Sequence, residues 1–227
     1  GFVKTEKKAK DIKSEILKYK NVLTDYQDKN LAIVYKDLIE KLFRKEEKLF
    51  GDTKQFSLSK KAALMLFRFM RYKDEYEVAR LHTQSNFSKE FYKNNKDFKI
   101  EFYLAPPIFN LKDEGGYPKK IKFGSWIIMI FKILAKFKFL RGTKFDVFGK
   151  TSERKKERDL AKKSKLSIEL ITQNLIESNY QISEKLIDAA LKINGYGYVK
   201  EKKILQHESE WETYLQKIND TKLKKVS

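Results

Sequence analysis

The run Tyr72-Lys-Asp-Glu-Tyr-Glu-Val-Ala-Arg80 places five charged side chains within nine residues. Read as the end of an apolar helix, it sets Lys73, Glu77 and Arg80 on one face at i, i+4 and i+3 spacing, where they can pair. Asp74 and Glu75 then point elsewhere. Such an array is either a carboxylate site or an ion-pair network that locks a helix to its neighbours. Arg80 is notable in a chain that prefers lysine, because its planar fork suits a bidentate partner. A second segment joins Arg141-Gly-Thr143 to Phe145-Asp-Val-Phe-Gly149 and then to Thr151-Ser-Glu-Arg-Lys-Lys-Glu-Arg158. A glycine-containing loop entering a helix N-terminus can hold an anion on backbone N–H groups. Lys119, Lys120, Arg141, Gly142, Thr143 and Thr151 are therefore the candidate anion-binding set, for a phosphate-bearing ligand such as coenzyme A. The spacing matches neither a phosphate loop nor a dinucleotide fingerprint. The competing account is a tight connector in which Arg141 and Asp146 satisfy buried backbone groups. Glu153, Arg154, Glu157 and Arg158 repeat at i+4, the pattern of a solvated or interlocked helix face. Together with Lys73, Asp74, Glu75, Glu77, Arg80 and Asp146 they form a candidate polar network or docking face.

What is missing narrows the chemistry further. The 227 residues contain no cysteine and two histidines, His82 and His207. Disulfides, thiolate zinc sites, cysteine-held iron–sulfur clusters and a cysteine nucleophile are excluded. No nucleophile, base and orienter can be assembled, so no catalytic residue is assigned and no metal is expected. The formal net charge is +19, but of the 50 basic residues only seven are arginine. Lysine excess accompanied by many Phe, Tyr, Ile and Asn is what adenine/thymine-rich coding produces. The charge is thus read mainly as surface background, and nucleic-acid binding, which would be steeply salt-dependent, ranks below it. The most apolar stretch, Trp126 to Leu140, is interrupted by Lys132, Lys136 and Lys138. It is shorter than the ~20 residues of a spanning helix, so a cytoplasmic protein without membrane contact is expected. The start, Gly1-Phe-Val-Lys, lacks Met and reads as an expression remnant or the cut edge of a longer protein.

The elements that must position these residues are mostly helical. Thr24-Asp-Tyr-Gln27 fits a capping box, followed by Leu31, Val34, Tyr35, Leu38, Leu42 and Leu49 at helical spacing and a stop at Gly51. Ser57 or Ser59 caps a second helix whose apolar stripe extends to about Leu81. Phe98, Ile100, Phe102 and Leu104 alternate as a strand does, and Pro106-Pro107 ends it. Gly115-Gly116 and Pro118 mark a turn, and Lys120 to Phe123 supplies a partner strand. Helix returns from Gly124 to about Leu140. Thr151 caps a long charged helix to about Ser178, another runs through Ile182 and Leu186 to Gly195, and a last one carries Ile204, Trp211 and Ile218. Residues 220–227 read as a frayed tail. The expected class is mainly α (α+β), a multi-helix domain with a small β-hairpin or β-ribbon around residues 97–123. Residues 1–227 are taken as one helical accessory domain.

In this order, Leu23-Thr-Asp-Tyr-Gln-Asp28, Tyr72-Lys-Asp-Glu-Tyr-Glu-Val-Ala-Arg-Leu81, Leu104-Ala-Pro-Pro107, Phe123-Gly-Ser-Trp126, Leu140-Arg-Gly-Thr143, Phe145-Asp-Val-Phe-Gly149 and Glu153-Arg-Lys-Lys-Glu-Arg158 resemble the C-terminal region of the fused indolepyruvate ferredoxin oxidoreductases. That region is a domain of unknown function, and the likeness runs from about Leu23 to Lys200. It implies a non-catalytic part of an enzyme that oxidatively decarboxylates aryl 2-oxo acids to acyl-CoA with ferredoxin as acceptor. Thiamine diphosphate, magnesium and iron–sulfur clusters are then expected in the parent enzyme and none in this chain. The catalytic domains of that enzyme are the expected partners, and a homo-oligomer is compatible with the sequence. The chain departs from the family pattern at Tyr103, at Val147 and in Asn194-Gly-Tyr-Gly-Tyr-Val-Lys200, where two histidines, an arginine and, at Val147, a proline are replaced.

Overall fold

The computed structural model describes residues 2–85, 90, 100–105, 111–116 and 119–223, with side chains from residue 10 to residue 220. Phe98, Pro106, Pro107 and Pro118, used above to delimit the strand and turn, lie outside the described residues, as does 224–227 of the tail. In chain order the elements are α1 (Phe2–Tyr26), α2 (Lys29–Phe50), α3 (Ser57–Met70), α4 (Glu75–Gln84), β1 (Phe102–Leu104), β2 (Ile121–Phe123), α5 (Ile127–Lys136), a 3-10 turn (Phe137–Leu140), α6 (Ser152–Asn174), a second 3-10 turn (Glu177–Asn179), α7 (Tyr180–Lys192) and α8 (Gly197–Leu223). The architecture is mainly helical with one small antiparallel sheet. The chain divides into two compact units, residues 1–72 with 157–227, and residues 73–156. Among the described residues no helix is long and apolar enough to cross a membrane.

The first unit is a helical assembly around Tyr26, Tyr35, Leu42, Phe56, Leu66, Phe69, Ile168, Leu186 and Trp211, all buried. Its boundaries follow from competition between caps and packing. The sequence pattern predicts a cap at Thr24. Instead α1 continues through Tyr26, because Leu23 and Tyr26 are needed in the core, and the Thr24 hydroxyl turns inward to donate to the Lys20 carbonyl at 3.1 Å. The cap of α2 is Asp28, whose carboxylate accepts from the Leu31 N–H at 2.8 Å. Gly51 ends α2 at φ 56°, a left-handed value that costs glycine little. The N-terminus of α3 has no capping side chain of its own, since Phe56 occupies that position in a left-handed conformation. The predicted caps Ser57 and Ser59 both lie inside the helix. Glu46, reaching from α2, takes their place by accepting from the Leu58 and Ser59 N–H groups at 3.3 and 2.9 Å.

The helix expected to reach Leu81 is broken where the sequence of the first unit passes into that of the second. Helix α3 stops at Met70, Arg71 to Asp74 are non-helical, and α4 restarts at Glu75. The cause is Asp74, extended at φ −114° and ψ −177°, which caps α4 by accepting from the Glu77 N–H at 2.8 Å. A side chain that captures a backbone N–H offers the chain an alternative to continuous helix. Lys73 therefore precedes α4 and does not share a helical face with Glu77 and Arg80. The sheet is shorter than the alternation predicted. Phe102 pairs with Phe123 and Leu104 with Ile121, while Ile100 and Lys120 lie outside the strands. Helix α5 packs one face, Ile127, Phe131 and Ala135, into a small core with Ala79 and Phe102. It ends at Lys136 and tightens into a 3-10 turn rather than running to Leu140 as helix. Its other face is also apolar and exposed: Trp126, Met129, Ile130, Ile133 and Phe137 follow one another at helical spacing and range from 43% to 71% accessible.

Candidate functional site

The charged residues of the Tyr72–Arg80 run meet those of the 141–154 segment inside the second unit. The Arg141 guanidinium grips Asp74 with both ends, Nε to Oδ2 at 2.5 Å and Nη2 to Oδ1 at 2.8 Å. Both side chains are buried, so the pair is fully desolvated and each charge depends on the other. The same Arg141 lies 5.7 Å over the Tyr76 ring. Asp74 thus has two tasks: it starts α4 and it ties down Arg141, the residue that ends the 3-10 turn. The Tyr76 hydroxyl donates to Asp146 at 3.3 Å. Burial, and then the Asp146 carboxylate, push the Tyr76 hydroxyl above the usual tyrosine range, so it remains a donor.

Asp146 organises the glycine loop. Its carboxylate accepts from the Gly142 N–H at 2.8 Å and the Gly149 N–H at 2.9 Å. The backbone donors expected to cradle a phosphate are therefore filled by the loop's own carboxylate. The other members of the anion-binding set are also placed. The Thr143 hydroxyl donates to the Leu140 carbonyl at 2.7 Å, and the Thr151 hydroxyl accepts from the Arg154 N–H at 3.3 Å. Lys119 and Lys120 are exposed. Neighbouring Lys122 pairs with Glu101 at 2.8 Å across the small sheet.

Two further pairs complete this network. Glu77, buried, takes both Nε and Nη2 of Arg80 at 2.7 and 2.9 Å. Glu75 receives Nη2 of Arg154 at 3.3 Å, and Arg154 also reaches Glu153 at 3.3 Å. Burial lifts the Glu75 carboxyl above the usual range, and Arg154 pulls it back. Glu157 and Arg158, predicted with this set, belong to the first unit. There Glu157 forms a buried ion pair with Lys200. Arg158 Nη1 is buried with no hydrogen-bond partner among the described residues.

Sequence reasoning overlooked two polar clusters. Lys200 sits in the first turn of α8, 43 residues from its partner Glu157, and no local pattern links them. Glu46 in the first unit is fully buried and accepts hydrogen bonds from the Leu58 and Ser59 N–H groups, the Ser59 hydroxyl and, at 2.8 Å, the Tyr180 hydroxyl. A signal for it existed: Ile39, Leu42, Phe43 and Glu46 share the apolar stripe of α2, and a carboxylate in core phase must have buried donors.

His82 packs against rings. It is stacked on Phe131 with centroids 5.6 Å apart and meets the edge of Phe102 at 5.4 Å. Burial, helped by the Lys73 charge, holds its pKa below the ordinary 6.5. The native state therefore resists protonation, and the stability tied to a neutral His82 is complete above about pH 6.5 and declines as pH falls below it. Thermal melts between pH 7 and pH 5 should show a shallower loss of Tm for His82→Phe than for the parent chain. Equal slopes would remove His82 as the cause.

Among the described residues no group of three or more His, Cys, Asp or Glu could hold a metal ion. With no cysteine, the chain has no thiolate set for an iron–sulfur cluster. The arrangement instead joins α4, the 3-10 turn and the glycine loop through buried ion pairs. No curated protein and no solved structure matches the chain significantly. Residues 13–213 do match the sequence model of a family of unknown function, DUF6537. With nearly nine-tenths of its length inside that match, the chain is a member of the DUF6537 family.

Proposed function

We propose that this chain is a non-catalytic accessory domain of an indolepyruvate ferredoxin oxidoreductase-like enzyme, docked on the catalytic part of that enzyme. The observation that carries this reading is the exposed apolar stripe of α5. A run of Trp126, Met129, Ile130, Ile133 and Phe137 on one face is more than a scatter of surface apolar residues. The segment that carries it is cationic in sequence: residues 119–145 contain Lys and Arg but no Asp or Glu, with Lys122 paired to Glu101 and Arg141 to Asp74. The complementary surface is an apolar groove rimmed by carboxylates. A second copy of a chain carrying +19 is a poor match for it. The ordered motifs from Leu23 to Arg158 support the parentage. The pairing of Asp74 with Arg141, Glu77 with Arg80 and Glu75 with Arg154 supports a structural role for those charges. Thiamine diphosphate, magnesium and iron–sulfur clusters belong, on this reading, to the catalytic part.

Supplied with an aryl 2-oxo acid, coenzyme A and oxidised ferredoxin, the 227-residue chain alone is expected to reduce no ferredoxin. Turnover by the chain alone would overturn the reading. Mixed with the separately produced catalytic part of such an enzyme, it should co-elute on a sizing column. The variant Met129→Asp/Ile133→Asp should elute alone. Co-elution that survives both substitutions would remove the α5 stripe as the contact.

A further inference from the structure

The glycine loop, residues 142–149, holds two apolar side chains out in solvent. Phe145 is 77% exposed and Val147 60%, on either side of Asp146, which is buried. The alternation has a cause. The Asp146 carboxylate accepts from the Gly142 and Gly149 N–H groups and from the Tyr76 hydroxyl, and its own N–H donates to the Thr143 carbonyl at 3.2 Å. With Asp146 pinned inward, its two neighbours are left facing solvent. The Thr143 hydroxyl stiffens the approach, donating to the Leu140 carbonyl and accepting from the Phe145 N–H at 3.3 Å. Gly142 takes φ 75°, a left-handed value that favours glycine. The loop does bury one ring, since Phe148 meets the Tyr76 ring edge-on at 5.3 Å. Phe145 has no such place.

The exposed pair is flanked by one sign of charge. Lys144 and Lys150 are exposed. Residues 119–150 contain one acid, Asp146, and it faces inward. The apolar surface also continues from α5: Phe139 is exposed, and its ring lies 6.0 Å from that of Phe137, the last member of the stripe.

Three kinds of occupant can cover such a tip. A nucleic-acid base stacks on an aromatic ring but gains little from a valine. A fluid bilayer accepts apolar side chains in any arrangement, so the tethers around Asp146 add nothing there. A protein socket rewards fixed spacing, because a preorganised loop has less freedom to lose on binding. The tethers therefore favour a shaped partner, and the lysines an acidic one.

We propose that the 142–149 loop is a rigid plug: Phe145 and Val147 enter an apolar socket rimmed by carboxylates on the catalytic part, as a second anchor in addition to the α5 stripe. Thr143 and Asp146 are positioning residues that act through Phe145 and Val147. The inference rests on the docking reading above and adds a separate contact to it.

Binding isotherms of the whole chain against the separately produced catalytic part test it. Phe145→Ser/Val147→Ser, at two exposed positions, should melt with the parent chain and bind about a hundredfold more weakly, the loss of two apolar anchors. Thr143→Val keeps both anchors and removes the stiffening hydroxyl. It should weaken binding about fivefold and speed hydrogen exchange at the Phe145 amide. If the parent chain does not bind the catalytic part, the docking reading falls and the plug with it. If Met129→Asp/Ile133→Asp abolishes binding while the serine pair binds like the parent chain, the docking reading stands and the plug alone is overturned. Unchanged affinity in Thr143→Val would overturn the role given to the tethers. Phosphatidylglycerol vesicles or a single-stranded oligonucleotide that at physiological salt bind the parent chain but not the serine pair would overturn the protein socket in favour of that partner.

Discussion

Replacing Asp74 with alanine is expected to destabilise the second unit by about 3–5 kcal/mol, the range for breaking a buried ion pair by removing one partner. Two losses coincide. Arg141 keeps a buried positive charge without its bidentate partner, and α4 loses the cap that fixes its first turn. The cap alone is worth about 1 kcal/mol, so most of the effect lies in the stranded guanidinium. That division can be tested. Asp74→Asn keeps an oxygen for the Glu77 N–H but removes the charge, and should retain the cap contribution only. In Asp74→Ala/Arg141→Met no charge is stranded, and the double variant should recover a large share of the stability lost by either single change. Hydrogen exchange gives the localisation. Peptides covering Glu75–Gln84 and residues 140–149 should lose protection together in Asp74→Ala, because Asp74 and Asp146 tether those segments around Tyr76 and Arg141. A loss below about 1 kcal/mol, the value of an exposed pair, would show that Arg141 finds water or another acceptor.

The same residues show where one-dimensional reasoning succeeds and where it stops. The Glu77–Arg80 pair was legible because i, i+3 contact needs only a helix. Asp146 as the organiser of its loop was legible because aspartate captures backbone N–H groups two to four residues away, and it does so at Gly142 and Gly149. The break at Arg71 to Asp74 was not legible. Apolar periodicity runs from Met65 through Phe69 and Tyr72 to Tyr76 and Ala79 without interruption, so the pattern favours one helix. What decides the matter is tertiary: the Tyr26 hydroxyl donates to the Tyr72 carbonyl at 2.9 Å, and Arg141, 67 residues away, holds Asp74 in its capping position. The reading of Arg141 needed the same distant information. A glycine beside it and a helix N-terminus nearby resemble an anion site. Only the fold reveals that the anion is the chain's own Asp74, while Asp146 fills the backbone nest next to it.

Glu46→Leu is expected to be nearly as damaging to the first unit, at about 2–4 kcal/mol, for a different reason. No buried cation is stranded, and leucine fits an apolar stripe. The loss comes from donors. The Ser59 N–H, at the start of a helix whose cap position is occupied by Phe56, loses its acceptor inside the core, and the Leu58 N–H keeps only the Tyr180 hydroxyl at 3.4 Å. The Ser59 and Tyr180 hydroxyls lose theirs as well. Burial, and then the nearby Glu46, hold the Tyr180 hydroxyl above the usual tyrosine range, so it is a protonated donor that must find another acceptor. Hydroxyls can rotate toward backbone carbonyls, but amides at a helix start cannot. The Ser59 N–H should therefore dominate the loss, and Ser59→Ala, which removes one hydroxyl and leaves the amides capped, should cost about 1 kcal/mol. Glu46→Gln keeps one acceptor oxygen but aims an NH₂ group at donors, and belongs between the two. Trp211 offers a local reading of these melts. It is fully buried in the first unit, stacked on Phe69 of α3 at 5.5 Å and hydrogen-bonded to Ser167 at 3.1 Å. In a Trp126→Phe background its fluorescence should follow the unfolding of the first unit, with the midpoint falling in the order Ser59→Ala, Glu46→Gln, Glu46→Leu. If Glu46→Leu melts with the parent chain, water reaches the start of α3, and the carboxylate is dispensable as a cap.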